Sequence, residues 1–179
     1  MTHNASATTV FETERLVARP WTHDDAEDIL DTYSRMEVAR WLGATPRPLE
    51  NLDEAHLVVE QWASRSEPDP TWGVWCVAER ASGRPVGTVL LVPLRGAANG
   101  EVEVGWHLHP DHWGKGYATE AARAAVERGF AAGLEEVLAV VSPDNDKSQA
   151  VCRRLGMEHL GLSEQYYGIP LEVFRTTRG

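Results

Sequence analysis

Leu108-His-Pro-Asp-His-Trp-Gly-Lys-Gly-Tyr-Ala-Thr-Glu120 is the stretch whose reading decides the fold. A strand-like run from Glu101 to Leu108 leads into it, Pro110 turns the chain, and a closely spaced glycine pair precedes an alanine-rich segment. Gly114 and Gly116 remove side chains that would block close approach to the backbone. A helix starting near Tyr117 points its first unpaired N–H groups, and the positive end of its dipole, into the turn. Strand, glycine turn and helix N-terminus together make a pyrophosphate cradle.

Outward from the cradle, three helices follow the first strand before a run of strands leads to the cradle. A short strand, Leu16 to Arg19, comes first; Thr22 then caps a helix with Asp24 and Asp25 in its first turn and an apolar face of Ala26, Ile29, Leu30 and Tyr33. A brief helix spans about Glu37 to Leu42 and ends at Gly43. Asn51 with Glu54 three residues on has capping-box spacing, opening a third helix that carries Leu57, Val58 and Trp62. Gly73 to Glu79 and Pro85 to Val92 flank Ser82-Gly83, a hairpin signal. In the strand that follows, Val102, Val104, Trp106 and Leu108 fall on one face, and Glu101, Glu103, Gly105 and His107 on the other. The cradle helix runs to about Ala132 and stops at Gly133. Val137 to Val141 is continuously apolar, as for a strand buried on both faces of a mixed sheet. A helix from Asp146 to Leu155 and two strands, Met157 to Leu162 and Leu171 to Thr176, close the chain. The expectation is one α/β (α+β) domain over 12–179 behind a frayed tail, 1–11.

Bulk properties narrow the function classes. The chain has 179 residues, 42% hydrophobic, enough for one well-buried core. A net charge of −10 argues against nucleic acid, whose binders present a basic stripe, and is compatible with cationic acceptors. No apolar stretch approaches the roughly 20 residues of a membrane span, so no membrane partner is expected. Cys76 and Cys152 lack CxxC spacing, and the first ten residues lack a signal-peptide pattern. A cytoplasmic protein without disulfides is expected. His107, His109 and His112 form H-x-H-x-x-H, but Pro110 turns the chain before the third, so no metal is expected.

Three segments now point the same way. Leu108 to Ala118 resembles the acetyl-CoA signature of the GNAT N-acetyltransferases, with Trp113 in the Arg/Gln place, Gly116 as the fixed glycine and Ala118 closing the motif. Asn145-Asp146-Lys147-Ser148, with Leu155-Gly156-Met157 after it, is similar to the family's N-x-x-S helix and L-G-F turn. Thr13-Glu14-Arg15-Leu16 with Arg19-Pro20-Trp21 resembles the opening strand of the RimJ/RimL-like subgroup. A dinucleotide site competes, since Gly114-x-Gly116-x-x-Thr119 nearly satisfies G-x-G-x-x-G/A. Thr119 in the third place, and a cradle that does not open a βαβ unit, weigh against it.

The resemblance implies a GNAT fold: a mixed, mostly antiparallel sheet of six to seven strands with a splayed pair, flanked by about four to five helices. It implies acetyl-CoA as co-substrate, held by the backbone from Trp113 through Gly114, Lys115, Gly116 and Tyr117 to Ala118. Lys115 either adds a charge contact or faces solvent. Trp106 and Leu108 backbone groups would pair with the pantetheine arm, an N–H near Trp106 would polarise the thioester carbonyl, and Asn145 would reach the arm while capping its helix. The acceptor would be a small-molecule amine or a protein N-terminus, and a homodimer is the family's common state.

Proton management follows from acid constants. At pH 7.4 an α-amine is roughly a quarter neutral and a lysine amine about one part in a thousand, a gap of roughly 3 kcal/mol. Glu103 is the candidate base, with a solvated strand carboxylate as the alternative. The resemblance to the RimL-like pattern makes Ser148 the candidate hydrogen-bond partner of the departing sulfur. Cys152 stands where many family members carry a tyrosine acid, and its alternative role is packing. Trp41, on the short helix that shapes acceptor choice in such proteins, is the tryptophan set apart from the core.

Overall fold

Seven segments read as strands build most of one sheet, seen in a computed structural model that describes residues 8–66 and 69–179. Among these residues the sheet has eight strands: β1 (Phe11–Glu12), β2 (Leu16–Pro20), β3 (Gly73–Glu79), β4 (Pro85–Pro93), β5 (Val102–Leu108), β6 (Glu136–Val141), β7 (Glu158–Ser163) and β8 (Leu171–Thr177). Their order is β1-β2-β3-β4-β5-β6-β8-β7. Every neighbouring pair is antiparallel except β5 and β6. The helices are α1 (Ala26–Tyr33), α2 (Met36–Ala39), α3 (Leu52–Ser66), α4 (Tyr117–Ala131) and α5 (Asp146–Arg154).

The eighth strand is the one beyond the expected six to seven. Phe11 pairs with Ala18 and sets its ring edge-on to Trp75, with centroids 6.0 Å apart. Two residues are too short a run to show period 2, so the pattern alone cannot mark them. Of the tail expected over 1–11, residues 1–7 lie outside the described residues.

Odd and even positions of each strand serve two layers. On one face Leu16, Trp75, Val77, Leu91 and Val104 pack with Tyr117, Ala121 and Ala125 of α4 and Cys152 of α5. On the other, Cys76 and Ala78 pack with Trp21, Ile29, Tyr33, Val38 and Val59 of the α1–α3 layer. The alanines of α4 bring it close to the sheet. A Cβ on Gly129 would meet Leu134 Cδ1 at 2.9 Å and Leu91 Cδ2 at 3.2 Å, so a larger residue there would push these leucine tips aside where helix and strand approach.

The α1–α3 layer is tied to β2 by one acid. Asp25 accepts from Arg19 Nη1 and Nη2 at 2.7 Å each and from the Thr22 N–H and hydroxyl at 2.9 Å each. Burial works against ionising Asp25, yet the bonds from Arg19 and Thr22 outweigh it and hold the carboxyl below its ordinary range. The helix therefore opens as a 3-10 turn, His23–Asp25, before α1 proper.

Two local expectations change. Asn51 Oδ1 does accept from the Glu54 N–H, but the Glu54 carboxylate turns to the Glu50 N–H and Arg47 instead of closing the box. Leu57 is exposed on α3, because the buried stripe is Ala55 and Val59 and Leu57 lies on the far side of that turn. In addition, α2 stops at Ala39, and Trp41 sits in the tight turn after it, its N–H bonded to Val38 O at 3.2 Å.

Candidate active site

The parallel pair is where the sheet parts. β5 shares seven register positions with β4, while its only partner on β6 is Glu103 opposite Leu138. Beyond Glu103 the two strands diverge. The Leu94 N–H bonds Glu101 O at 2.8 Å and the His109 N–H bonds Val86 O at 3.0 Å, at the two ends of β5. Antiparallel pairing alternates, so odd-numbered residues of β5 spend their backbone groups on β4 and even-numbered ones face β6. Trp106 and Leu108 thus turn their amides into the gap. The Leu108 carbonyl is taken by Trp113 Nε1 at 2.9 Å, which leaves the Leu108 N–H and the Trp106 N–H and C=O facing the gap.

A cleft of about 820 Å³ opens there. One wall is the glycine turn and the start of α4. Gly114 and Gly116 have φ of 75° and 81°, a region that side-chain-bearing residues enter at a cost, so the turn requires glycine for its backbone shape. The first helical bond of α4 runs from the Glu120 N–H to Gly116 O, and Gly116 supplies no side-chain cap. The N–H groups of Tyr117, Ala118 and Thr119 are therefore without helical partners at the cleft wall. Lys115 stands apart: its side chain is exposed and not part of the lining, and its carbonyl accepts from Arg15 Nη1 at 2.9 Å.

The opening motif turns out to brace this wall. Glu120 accepts from the Thr13 hydroxyl at 2.6 Å, the Arg15 N–H at 2.9 Å and Arg15 Nε at 2.7 Å. Arg15 also lies 4.7 Å over the Tyr117 ring, whose hydroxyl donates to Glu79 at 2.6 Å. Thr13 to Leu16 is thus a clamp on the first turn of α4, a role that only the folded contacts disclose.

The start of α5 completes the wall. Asn145 Oδ1 accepts from the Ser148 N–H at 3.1 Å, so Asn145 is the N-cap and also lines the cleft. Ser148 lines it too. Lys147 Nζ lies 4.1 Å over the Trp113 ring, fastening α5 to the glycine turn. Cys152 is fully buried, absent from the lining, and its thiol is pushed up to about 12 by burial. It packs.

Glu103 is placed differently from the other expected site residues. It sits at the vertex of the parted strands, 7% exposed, and outside the lining of the cleft. Burial pushes its carboxyl up to about 7 against a hydrogen bond from Tyr167. The solvated alternative is thereby removed. Tyr167, in the β7–β8 connection, is the one non-glycine with a left-handed backbone among the described residues, at φ 57°. No sequence spacing links it to a residue 64 positions away. His107 is the second residue that sequence reasoning set aside: it lines the cleft, and its Nδ1 lies 3.3 Å from the Tyr33 hydroxyl. Its alternation with Glu103 on β5 is the signal that placed them on one face. His107, His109 and His112 do not converge, and no group of three metal-ligating side chains forms among the described residues.

A glycine turn, two helix N-termini and a parted strand pair thus line one cleft. Residues 15–158 match the family described as Acetyltransferase (GNAT) domain. The chain is 30% identical over 159 residues to the uncharacterized N-acetyltransferase YoaA of Bacillus subtilis (strain 168), covering 88% of this chain and 87% of that protein. The crystal structure of an acetyltransferase from Agrobacterium tumefaciens str. C58 matches at a TM-score of 0.78 and 26% identity, over 99% of each chain. RimL, a ribosomal L7/L12 α-N-protein acetyltransferase solved with coenzyme A, shares the fold at a TM-score of 0.78 and 14% identity, over 95% of this chain and 98% of its own. The chain belongs to the GNAT acetyltransferase family and is an acetyl-CoA-dependent acyltransferase. No helix among the described residues is long and apolar enough to cross a membrane.

Proposed function

We propose that this chain transfers the acetyl group of acetyl-CoA to a primary amine, on a small molecule or a protein N-terminus, by direct attack in a ternary complex. The observation that carries the reading is the parting of β5 from β6 beyond Glu103, with the amides of Trp106 and Leu108 turned into the gap. When bound, acetyl-CoA supplies an activated thioester carbonyl. Unpaired N–H groups of the Gly116–Thr119 turn hold the pyrophosphate, with the helix dipole behind them. Lys147 and Arg154 add positive charge on the same wall. The Trp106 N–H stabilises charge on the carbonyl oxygen; one such donor contributes about 3 kcal/mol.

Glu103 accepts the proton lost by the amine. Its carboxyl, raised to about 7, is half ionised near neutral pH, which suits a base working there. From the vertex it reaches the amine through one water, while Tyr167 holds its orientation. The C–N bond forms, the C–S bond breaks, and the Ser148 hydroxyl donates a hydrogen bond to the leaving sulfur without itself ionising.

A thermal-shift scan with acetyl-CoA, NAD and ATP, then a thiol-release assay over an amine panel, tests this. Acetyl-CoA is expected to stabilise the fold, and an amine to release free thiol. The kcat/KM profile should fall below about pH 7, and Glu103→Gln should lower it by about 10²–10³ and flatten that limb. Stabilisation by NAD alone sinks the cofactor assignment. Wild-type kcat/KM across pH in Glu103→Gln and in Ser148→Ala sinks the roles.

A further inference from the structure

The cleft has two walls of unlike chemistry. The α4–α5 wall carries helix N–H donors, Asp146, Lys147 and Arg154. The facing wall is Val38, Trp41 and Leu42, with His107 entering from β5. This second wall has no carboxylate among its described lining residues. A guanidinium covers its tryptophan: the Arg40 guanidinium carbon lies 4.5 Å over the Trp41 ring.

His107 is the polar group of that wall. Its Nδ1 faces the Tyr33 hydroxyl, which is itself anchored on Thr88 Oγ1 at 2.6 Å. Tyr33 also meets the imidazole edge-to-face, with ring centroids 5.9 Å apart. Desolvation, with a smaller effect from the positive charge of Arg65, pushes the imidazole down to about 4 and keeps it neutral. Nδ1 is engaged inside the fold, so Nε2 is the nitrogen available to a molecule in the cleft.

From these contacts we infer that the acceptor is a primary amine carried on an apolar, aromatic body, seated against Trp41 and Leu42 with His107 as its polar contact. The inference rests on the acetyl transfer to an amine argued above. A polyamine or a lysine-rich peptide would bring further ammonium groups to this wall. Each would lose hydration, find no carboxylate, and meet Arg40. An aromatic body instead removes its own and the tryptophan's apolar surface from water, and its face accommodates the neighbouring guanidinium. The net charge of −10 does not describe this wall, whose lining holds none of the acidic residues.

The test compares 2-phenylethylamine, spermidine and a short lysine-rich peptide with a free N-terminus in the thiol-release assay, using the intact protein and acetyl-CoA. The expected kcat/KM for the aryl amine exceeds each of the others by about tenfold or more, the discrimination a single apolar pocket can provide. Trp41→Ala should raise KM for the aryl amine about tenfold and change KM for acetyl-CoA less than about twofold, with Trp41→Phe restoring most of the loss. Arg40→Glu should improve turnover of spermidine. Preference of the wild type for spermidine or the peptide overturns the proposal and leaves acetyl transfer standing. So does an unchanged aryl-amine KM in a Trp41→Ala protein that acetyl-CoA still stabilises. Stabilisation by acetyl-CoA with no thiol released by any amine overturns the transfer reading and this one together.

Discussion

The α4–α5 wall of the cleft is made of backbone, and the α1–α2 side is made of side chains. On the first, glycines with φ of 75° and 81° shape a turn whose ligands are amides, and any residue able to adopt the turn would present the same donors. On the second, Val38, Trp41, Leu42 and His107 are the chemistry, and a single substitution alters what fits. On the proposed function, the first wall takes the donor and the second takes the acceptor. A donor common to many reactions needs a fixed cradle, whereas acceptors differ in their bodies.

That contrast can be broken or sharpened by substitution. The largest expected effect is on the anchoring of the side-chain wall. Asp25→Ala leaves Arg19 without its partner and unties α1 from β2, at a cost of about 3–5 kcal/mol in urea unfolding. The Asp25 carboxyl is held below its ordinary range, so its stabilisation is present above about pH 4 and is lost as pH falls further. A loss below about 1 kcal/mol would mean the α1–α3 layer is held by packing alone.

Next comes the vertex between the walls. The Glu103 carboxyl is raised from an unfolded value near 4.3 to about 7 in the fold. Between these values the folded state binds more protons than the unfolded one, so this group's contribution declines as pH rises from about 4 to 7. Glu103→Gln removes that decline. The variant should gain on the order of 2–3 kcal/mol over wild type between pH 5 and pH 8, read as diverging Tm values. Parallel Tm curves would show that Glu103 is not desolvated.

The backbone wall responds through shape. Gly116→Val forces a β-branched residue to φ 81°, with its Cβ 3.4 Å from Arg15 Nη2. A strain of about 1–3 kcal/mol should appear as a roughly 10- to 100-fold weaker acetyl-CoA affinity in calorimetry. Undiminished affinity would place the pyrophosphate elsewhere. The smallest effect is expected at Ser148→Ala, which keeps the α5 cap because Asn145 bonds the residue 148 N–H and not the hydroxyl. A loss of about 1 kcal/mol in kcat/KM, with acetyl-CoA KM unchanged, would match a hydroxyl that serves only the leaving sulfur.

Legibility in the chain follows the same division. Gly114, Gly116, Asn145 and Ser148 lie in short motifs whose geometry is local, and the structure brings all four to one cleft. Lys115, in the same run, points away because its neighbours' dihedrals decide its direction. Trp41 was readable as set apart from the core but not as part of a turn, since α2 ends two residues before it. The clamp from Thr13 and Arg15 to Glu120 spans more than a hundred positions, and composition gives no hint of it. Tyr167 was invisible for the same reason.

The sequence by itself determined most of the strands and helices, the glycine turn and the Asn145 cap, because each depends on side-chain period or on dihedral preference within a few residues. Only the tertiary structure decided that β5 and β6 part beyond Glu103, that Glu103 is buried at the vertex against Tyr167, and that an apolar aromatic wall faces the cradle. Those outcomes depend on desolvation and packing between segments far apart in the chain. Such energies belong to the assembled layers, and no single stretch encodes them.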